Sequence, residues 1–304
     1  MRFTIGLPTD RVDRVEEFVT GDAVTECARA LEGMGFDACF VTDHPAPDAK
    51  WLANGGHHAL DPFVALSFAA AATTRLRVQT HILVLAYRNP LLTAKSVLSL
   101  EALSGGRTIL GVAAGYLKPE FAALGVDFDE RNALTDEAID VVRAVLTEDV
   151  FAYEGRRFRT RGTTMAPRLP APPPIWIGGN STAAIRRAVE RGDGWVPFPN
   201  PASAARSVRT ANLATIEDLA GRLQVLRDHA AAIGRADPLD VCTSPFTRRD
   251  PYDFGELREQ VAALSELGVT WCVLGVPGAD TRREYLQRAE RLASEVVAGR
   301  GGAG

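Results

Sequence analysis

Long apolar runs are missing from this 304-residue chain. None approaches the roughly 20 residues that a bilayer-spanning helix needs, so no membrane partner is expected. The opening MRFTIGLPTD has too short an apolar stretch for a secretory signal, and a cytoplasmic protein is the expectation. A large excess of either charge is missing as well. The formal net charge is -4, which argues against nucleic acid as a partner. Cysteine is scarce: Cys27, Cys39, Cys242 and Cys272 form no C-x-x-C pair, and each sits inside an apolar segment. Buried thiols are therefore expected, not disulfides.

Several site signatures are absent too. There is no H-E-x-x-H and no carboxylate–histidine cluster, so no metal is expected. His57 and His58 are adjacent in a glycine-flanked loop, and adjacent histidines seldom ligate one metal. GVAAG at 111–115 lacks the G-x-G-x-x-G spacing, and Gly33-x-Gly35 follows a helix instead of a strand, which leaves little for a Rossmann reading. The G-x-S-x-G elbow of α/β-hydrolases is not there.

What is present is an alternation of short apolar strands and capped helices. Hydrophobic residues make up 46% and charged ones 24%, the ordinary balance of a soluble globular enzyme. The pattern predicts strands at 3–7, 36–41, 76–83, 108–112, 175–177, 194–198, 239–243 and 270–274. Between them, helices start at capping residues: Asp22, Asp61 before Pro62, Asn89 before Pro90, Ser181, Thr215-x-x-Asp218, Asp253-x-x-Glu256 and Thr281-x-x-Glu284. With residues 134–146 as the fourth helix, eight strand–helix units are countable. Right-handed crossovers make an α/β fold of the (β/α)8 TIM-barrel type the simplest closure, with an open doubly wound sheet as the alternative. Residues 118–173 exceed a bare crossover and contain FAYEGRRFRTRG, which alternates like a hairpin around Glu154-Gly155. They read as an insertion between the fourth and fifth strands of a single domain over 1–297, with 298–304 a flexible tail.

In such a barrel, chemistry collects at the carboxyl ends of strands. That rule selects residues 8–10, 42–45, 80–81, 115–116, 178–181, 197–200, 244–249 and 275–278. Gly178-Gly179-Asn180-Ser181 follows a strand and opens a capped helix, which fits an anion-binding turn and equally a tight turn with no ligand. His44 after Asp43 fits a proton-transfer group or a loop histidine held by a backbone bond. Arg156, Arg157, Arg159 and Arg161 make the hairpin basic, either as a solvated face or as a seat for a polyanionic tail.

Five stretches carry a resemblance: VTDHP at 41–45, DPFVALSFAAAATTRLRVQT at 61–80, YRNPLLTAKSVLSLEALSGGR at 87–107, LGVAAGYLKPEFAALGVDFDER at 110–131, and PPPIWIGGNS with GDGW within 172–195. Together they resemble the luciferase-like monooxygenase superfamily, and within it the coenzyme F420-dependent oxidoreductases of actinobacterial type. The resemblance implies a TIM barrel with its deazaflavin at the carboxyl end. It implies a phosphate at Gly178, Gly179, Asn180 and Ser181, and a cofactor site that includes Asp43, His44, Thr80, His81, Ile82, Ala114 and Gly115. It implies a non-proline cis peptide near Thr80–Ile82, behind the ring. His44 is implied as the proton donor or orienting group, with Tyr116 and Glu120 as further catalytic candidates on the substrate side. Sugar-phosphate dehydrogenases of this superfamily carry a catalytic Glu directly after the glycine matching Gly115. This chain has Tyr116 there, and its Glu comes four residues later. The implied activity is hydride transfer between F420 and a small-molecule substrate by a homodimer. An FMN-dependent monooxygenase and a non-catalytic flavin- or deazaflavin-binding protein are the alternatives.

Overall fold

The computed structural model describes residues 1–200, 211–247 and 252–298. Among these residues ten strands form: β1 (Arg2–Gly6), β2 (Ala38–Val41), β3 (Arg77–Val84), β4 (Thr108–Ala113), β5 (Phe151–Glu154), β6 (Arg159–Thr163), β7 (Ile175–Gly178), β8 (Gly194–Val196), β9 (Asp240–Thr243) and β10 (Trp271–Leu274). Eight of them close a parallel barrel in the order β1-β2-β3-β4-β7-β8-β9-β10, with β10 back on β1. The open doubly wound sheet is thereby excluded. β5 and β6 make a separate antiparallel hairpin, which the alternation around Glu154-Gly155 predicts. Between β4 and that hairpin lie the helices Lys118–Ala123 and Arg131–Thr147.

Side-chain caps start the helices at most of the expected places. Asn89 accepts from the amides of Leu91 and Leu92, Asp61 from Phe63 and Val64, and Asp253 from Gly255 and Glu256. Thr215 and Asp218 form a reciprocal capping box. The first long helix differs: it spans Gly21–Gly33, and Thr20 caps it through the Ala23 amide, leaving Asp22 in the first turn. β8 is also shorter than the predicted 194–198. The Asn180 side chain takes both the amide and the carbonyl of Phe198, so that backbone bonds to a side chain and leaves the ladder.

The barrel interior is filled by Ala38, Ile109, Trp176, Val196, Cys242 and Trp271, with Ile82 packed against them. The two indoles meet edge to face at 5.2 Å. All four cysteines are buried, and burial pushes the thiols of Cys27, Cys39 and Cys272 up to about 12, which removes their thiolates as nucleophiles. Outside, the neighbouring helices Pro62–Ala72 and Pro90–Ser104 leave apolar side chains in water: Val64 (60% exposed), Phe68 (47%), Leu92 (70%) and Leu103 (78%). The expected tail from 299 onward, and Arg248 and Arg249 of the 244–249 exit, lie outside the described residues.

Candidate functional site

β2 delivers Thr42, Asp43 and His44 to the carboxyl mouth of the barrel. Asp43 is 3% exposed and faces inward. Its Oδ2 accepts the Val84 amide at 3.0 Å, and Arg88 donates to Oδ1 at 2.6 Å. Asp43 thus locks the exit of β2 to the exit of β3, with both carboxylate oxygens engaged inside the protein. Burial pushes its carboxyl up, and the Arg88 guanidinium opposes that push.

His44 sits over a buried carboxylate. Its Nδ1 lies 3.4 Å from Glu120 Oε2. Glu120 Oε1 accepts the Ala46 amide at 2.9 Å, and the Tyr87 hydroxyl donates to Oε2 at 3.4 Å. Three more rings gather around the imidazole: Trp51 at 4.4 Å, His57 at 5.0 Å and Tyr116 at 6.0 Å between centroids. His57 Nε2 lies 3.2 Å from Thr42 Oγ1. Burial and the neighbouring histidines lower its pKa to about 4, so it is neutral near pH 7. Burial, then the charge of Glu120, pushes the Tyr116 phenol up to about 12, so it stays protonated.

The expected cis peptide is present as His81-Ile82, inside β3. The β3–β4 register shifts between Thr80 and Leu83. Thr80 is fully buried, and its hydroxyl donates to the Gly111 carbonyl at 2.8 Å. His81 packs on Phe40 at 4.6 Å, and its Nδ1 lies 3.3 Å from Gln79 Nε2, which in turn belongs to a side chain bonded to Thr4. Burial lowers the His81 pKa to about 4.

The turn after β7 brings together Gly178, Gly179, Asn180 and Ser181. Gly179 has φ +123, outside the range of most side chains, and its amide bonds to Val196 O. Ser181 caps the helix Thr182–Arg191 through the Ala184 amide. Asn180 is fully buried and spends its side chain on Phe198 and Ala211. Its side chain therefore holds the loop, while the first-turn amides of the helix remain the anion-favouring element. At the β4 exit, Ala114 precedes Gly115, whose φ is +78. A glycine turn opening a ten-residue helix, an apolar shelf at Ile82 and a histidine backed by a carboxylate together suit a planar redox ring with a phosphate tail.

A cavity of about 640 Å³ opens beside this cluster, at the ends of β1, β2, β9 and β10. Leu7, Asp10, Phe40, His57, Tyr252 and Val276 are among its walls. Arg11 also borders it, but is paired with Asp13 and Asp280. Among the described residues no group of three or more His, Cys, Asp or Glu side chains is placed to hold a metal. In the hairpin, Arg156 and Arg157 pair with Glu130, and Arg159 with Glu154, which uses up most of its charge.

Sequence reasoning brought His44, Tyr116 and Glu120 into view, weighed His57 only as a metal ligand, and missed Trp51, Tyr87 and Arg88. Of the three missed, only Arg88 carried a local signal, as a cation immediately before a capped helix.

The luciferase-like monooxygenase profile matches residues 1–248. An uncharacterised protein of Mycobacterium tuberculosis is 30% identical over 290 residues, covering 89% of this chain and 93% of its own length. An F420-dependent glucose-6-phosphate dehydrogenase of Intrasporangium calvum is 34% identical over 190 residues, covering 60% of this chain and 54% of its own. Among solved structures, the monooxygenase RslO1 from Streptomyces bottropensis superposes with a TM-score of 0.79 at 20% identity, covering 98% of this chain and 99% of that one. An F420-dependent secondary alcohol dehydrogenase, in complex with an F420-acetone adduct, superposes at 0.75 with 16% identity over 98% and 99%.

Proposed function

The chain belongs to the luciferase-like monooxygenase family, and we propose that it is an oxidoreductase that holds coenzyme F420 in the barrel mouth and moves a hydride between that deazaflavin and a small organic substrate. The observation that carries this reading is the His44–Glu120 pair, a proton-handling imidazole backed by a buried carboxylate at a strand exit. The F420-dependent relatives among the similar proteins support the choice of cofactor.

When bound, the deazaflavin supplies hydride chemistry. The glycine turn at Gly178 and Gly179 and the start of the helix after Ser181 would hold its phosphate. Ile82, Ala114 and Gly115 would support the ring. His44 gives or takes the proton that accompanies the hydride. Trp51 and Tyr116 enclose His44 and keep water from it. The apolar walls at Leu7, Phe40 and Val276 favour a substrate with an apolar body. With Tyr116 directly after Gly115, sugar-phosphate oxidation is not carried over from the relative.

Two further features belong to the same proposal. The exposed apolar face of helices Pro62–Ala72 and Pro90–Ser104 supports a homodimer. Among the described residues no helix is long and apolar enough to cross a membrane, and a cytoplasmic location is part of the same proposal.

An FMN-dependent monooxygenase is the second reading, favoured by the likeness to RslO1. Fluorescence titration of the purified protein with F420 and, separately, with FMN separates the two. Tight F420 binding with weak FMN binding is expected. The reverse, with oxygen consumed by the reduced protein, would move the chain to the monooxygenase branch. Binding of neither would remove the anion turn from the site.

A further inference from the structure

The sequence offers Glu120 as a catalytic candidate on the substrate side of the mouth. In the structure it is 1% exposed and lies beneath His44, with its two oxygens turned to different partners. Oε1 accepts the Ala46 amide at 2.9 Å. A backbone N–H can only donate, so this oxygen must present a lone pair. Oε2 receives the Tyr87 hydroxyl at 3.4 Å and lies 3.4 Å from His44 Nδ1. An ionised carboxylate offers lone pairs alone, so the nitrogen facing it has to carry the proton.

We infer that Glu120 is a positioning residue that fixes His44 in the Nδ1–H tautomer and leaves Nε2 to exchange a proton with the substrate. Among the described residues, Nε2 of His44 has no hydrogen-bond partner. In either direction of hydride transfer the proton moves between the substrate heteroatom and Nε2, and Glu120 keeps accepting from Nδ1–H. The catalytic part of this inference rests on the proposed hydride-transfer function. The tautomer depends on the chain alone.

A merely structural Glu120, tying the exits of β2, β3 and β4 together, would keep the same neighbours, so the variant must separate the two roles. Glu120→Gln does so. The Ala46 amide stays in place and demands an oxygen, so the glutamine carbonyl takes that position. The amide NH2 then faces His44 Nδ1 and the Tyr87 oxygen. Facing a donor, Nδ1 must become an acceptor, and the proton moves to Nε2. An isosteric change with the same backbone bond therefore inverts the imidazole.

The experiment is long-range 1H–15N correlation on the [15N-His]-labelled apoprotein, at a pH where the imidazole is neutral, with His44 assigned by its loss in His44→Gln. The expected result is Nδ1–H in the wild type and in Tyr87→Phe, and Nε2–H in Glu120→Gln. Turnover of Glu120→Gln should fall by about 10²-fold or more, while KM and F420 affinity stay within a few-fold. Nε2–H at His44 in the wild type, or the same tautomer in wild type and Glu120→Gln, overturns the inference. The wild-type spectrum alone decides if the variant does not fold. An inverted tautomer in a protein that binds no F420 supports the positioning role and removes the deazaflavin reading.

Discussion

Ile82 stands against Gly178. The isoleucine Cδ1 lies 2.3 Å from the place a β-carbon on residue 178 would take, so the β3 bulge and the glycine turn after β7 form one continuous surface. Gly178→Ala must displace Ile82. We expect it to cost about 1–3 kcal/mol of stability, as overpacking does, and to weaken F420 binding more than tenfold. Fluorescence titration and urea denaturation read the two effects. Unchanged affinity in a folded variant would separate Ile82 from the cofactor seat.

His44→Ala should leave F420 affinity within a few-fold and lower turnover by about 10²–10⁴-fold, the usual contribution of a positioned acid–base group. The check is steady-state kinetics beside a binding titration. Equal turnover in mutant and wild type removes His44 from the chemistry.

Asp43→Asn keeps an oxygen for the Val84 amide but leaves the Arg88 guanidinium without its main partner. The expected loss is about 3 kcal/mol, toward the low end for a broken buried pair. The nearby Asp61, 3.8 Å from Arg88, offers partial relief. Adding Arg88→Met to the variant should recover part of the loss. A decrease below about 1 kcal/mol in urea melts would show that the lock between the two strand exits contributes little.

The reach of sequence reasoning differs between barrel and site for a physical reason. Each barrel strand is a local apolar run bounded by caps and glycines, so β4 or β10 declares itself within a dozen residues. The glycine turn and its helix cap were legible for the same reason, because Gly178 to Ser181 is one contiguous motif. The surroundings of His44 were not. Trp51 and His57 fold back onto it from the loop after β2, and Glu120, itself bonded by Tyr87, reaches it because β2, β3 and β4 end side by side; nothing in the linear chain states which loop side chains then touch. Asn180 shows the converse. Its motif suggested a ligand contact, yet its side chain is consumed by Phe198 and Ala211, a partnership set by the path of the loop after β8.

His57 and His81 both carry pKa values lowered to about 4, mainly by burial, against 6.5 unfolded. The unfolded chain therefore takes up these protons first as the pH falls. Their contribution to stability is full above about pH 6.5 and is lost progressively between about 6.5 and 4. The double variant His57→Gln/His81→Gln should have a shallower decline over that window. Parallel stability–pH curves for variant and wild type would rule out these two histidines as its source.

Phe68 and Leu103 give a test of assembly. Helices that are apolar on their outer as well as their inner side call for a cover. We expect a dimer by light scattering, and Phe68→Glu/Leu103→Glu should be monomeric with an unchanged far-UV spectrum. A wild-type monomer at tens of micromolar would exclude the homodimer.

The order of the barrel has an evolutionary corollary. Strands β1 to β4 bring His44, Tyr87 and Glu120, while β7 to β10 bring the glycine turn and most of the far wall of the cavity. Each half-barrel holds an incomplete set of parts, and the parts meet only across the seams where β4 pairs with β7 and β10 with β1. Descent by exchange of half-barrels could therefore swap the half that carries His44 and Glu120 against different halves that carry the glycine turn. Such a chimera would work only if the Leu110–Ile175 and Arg2–Trp271 registers survived the join.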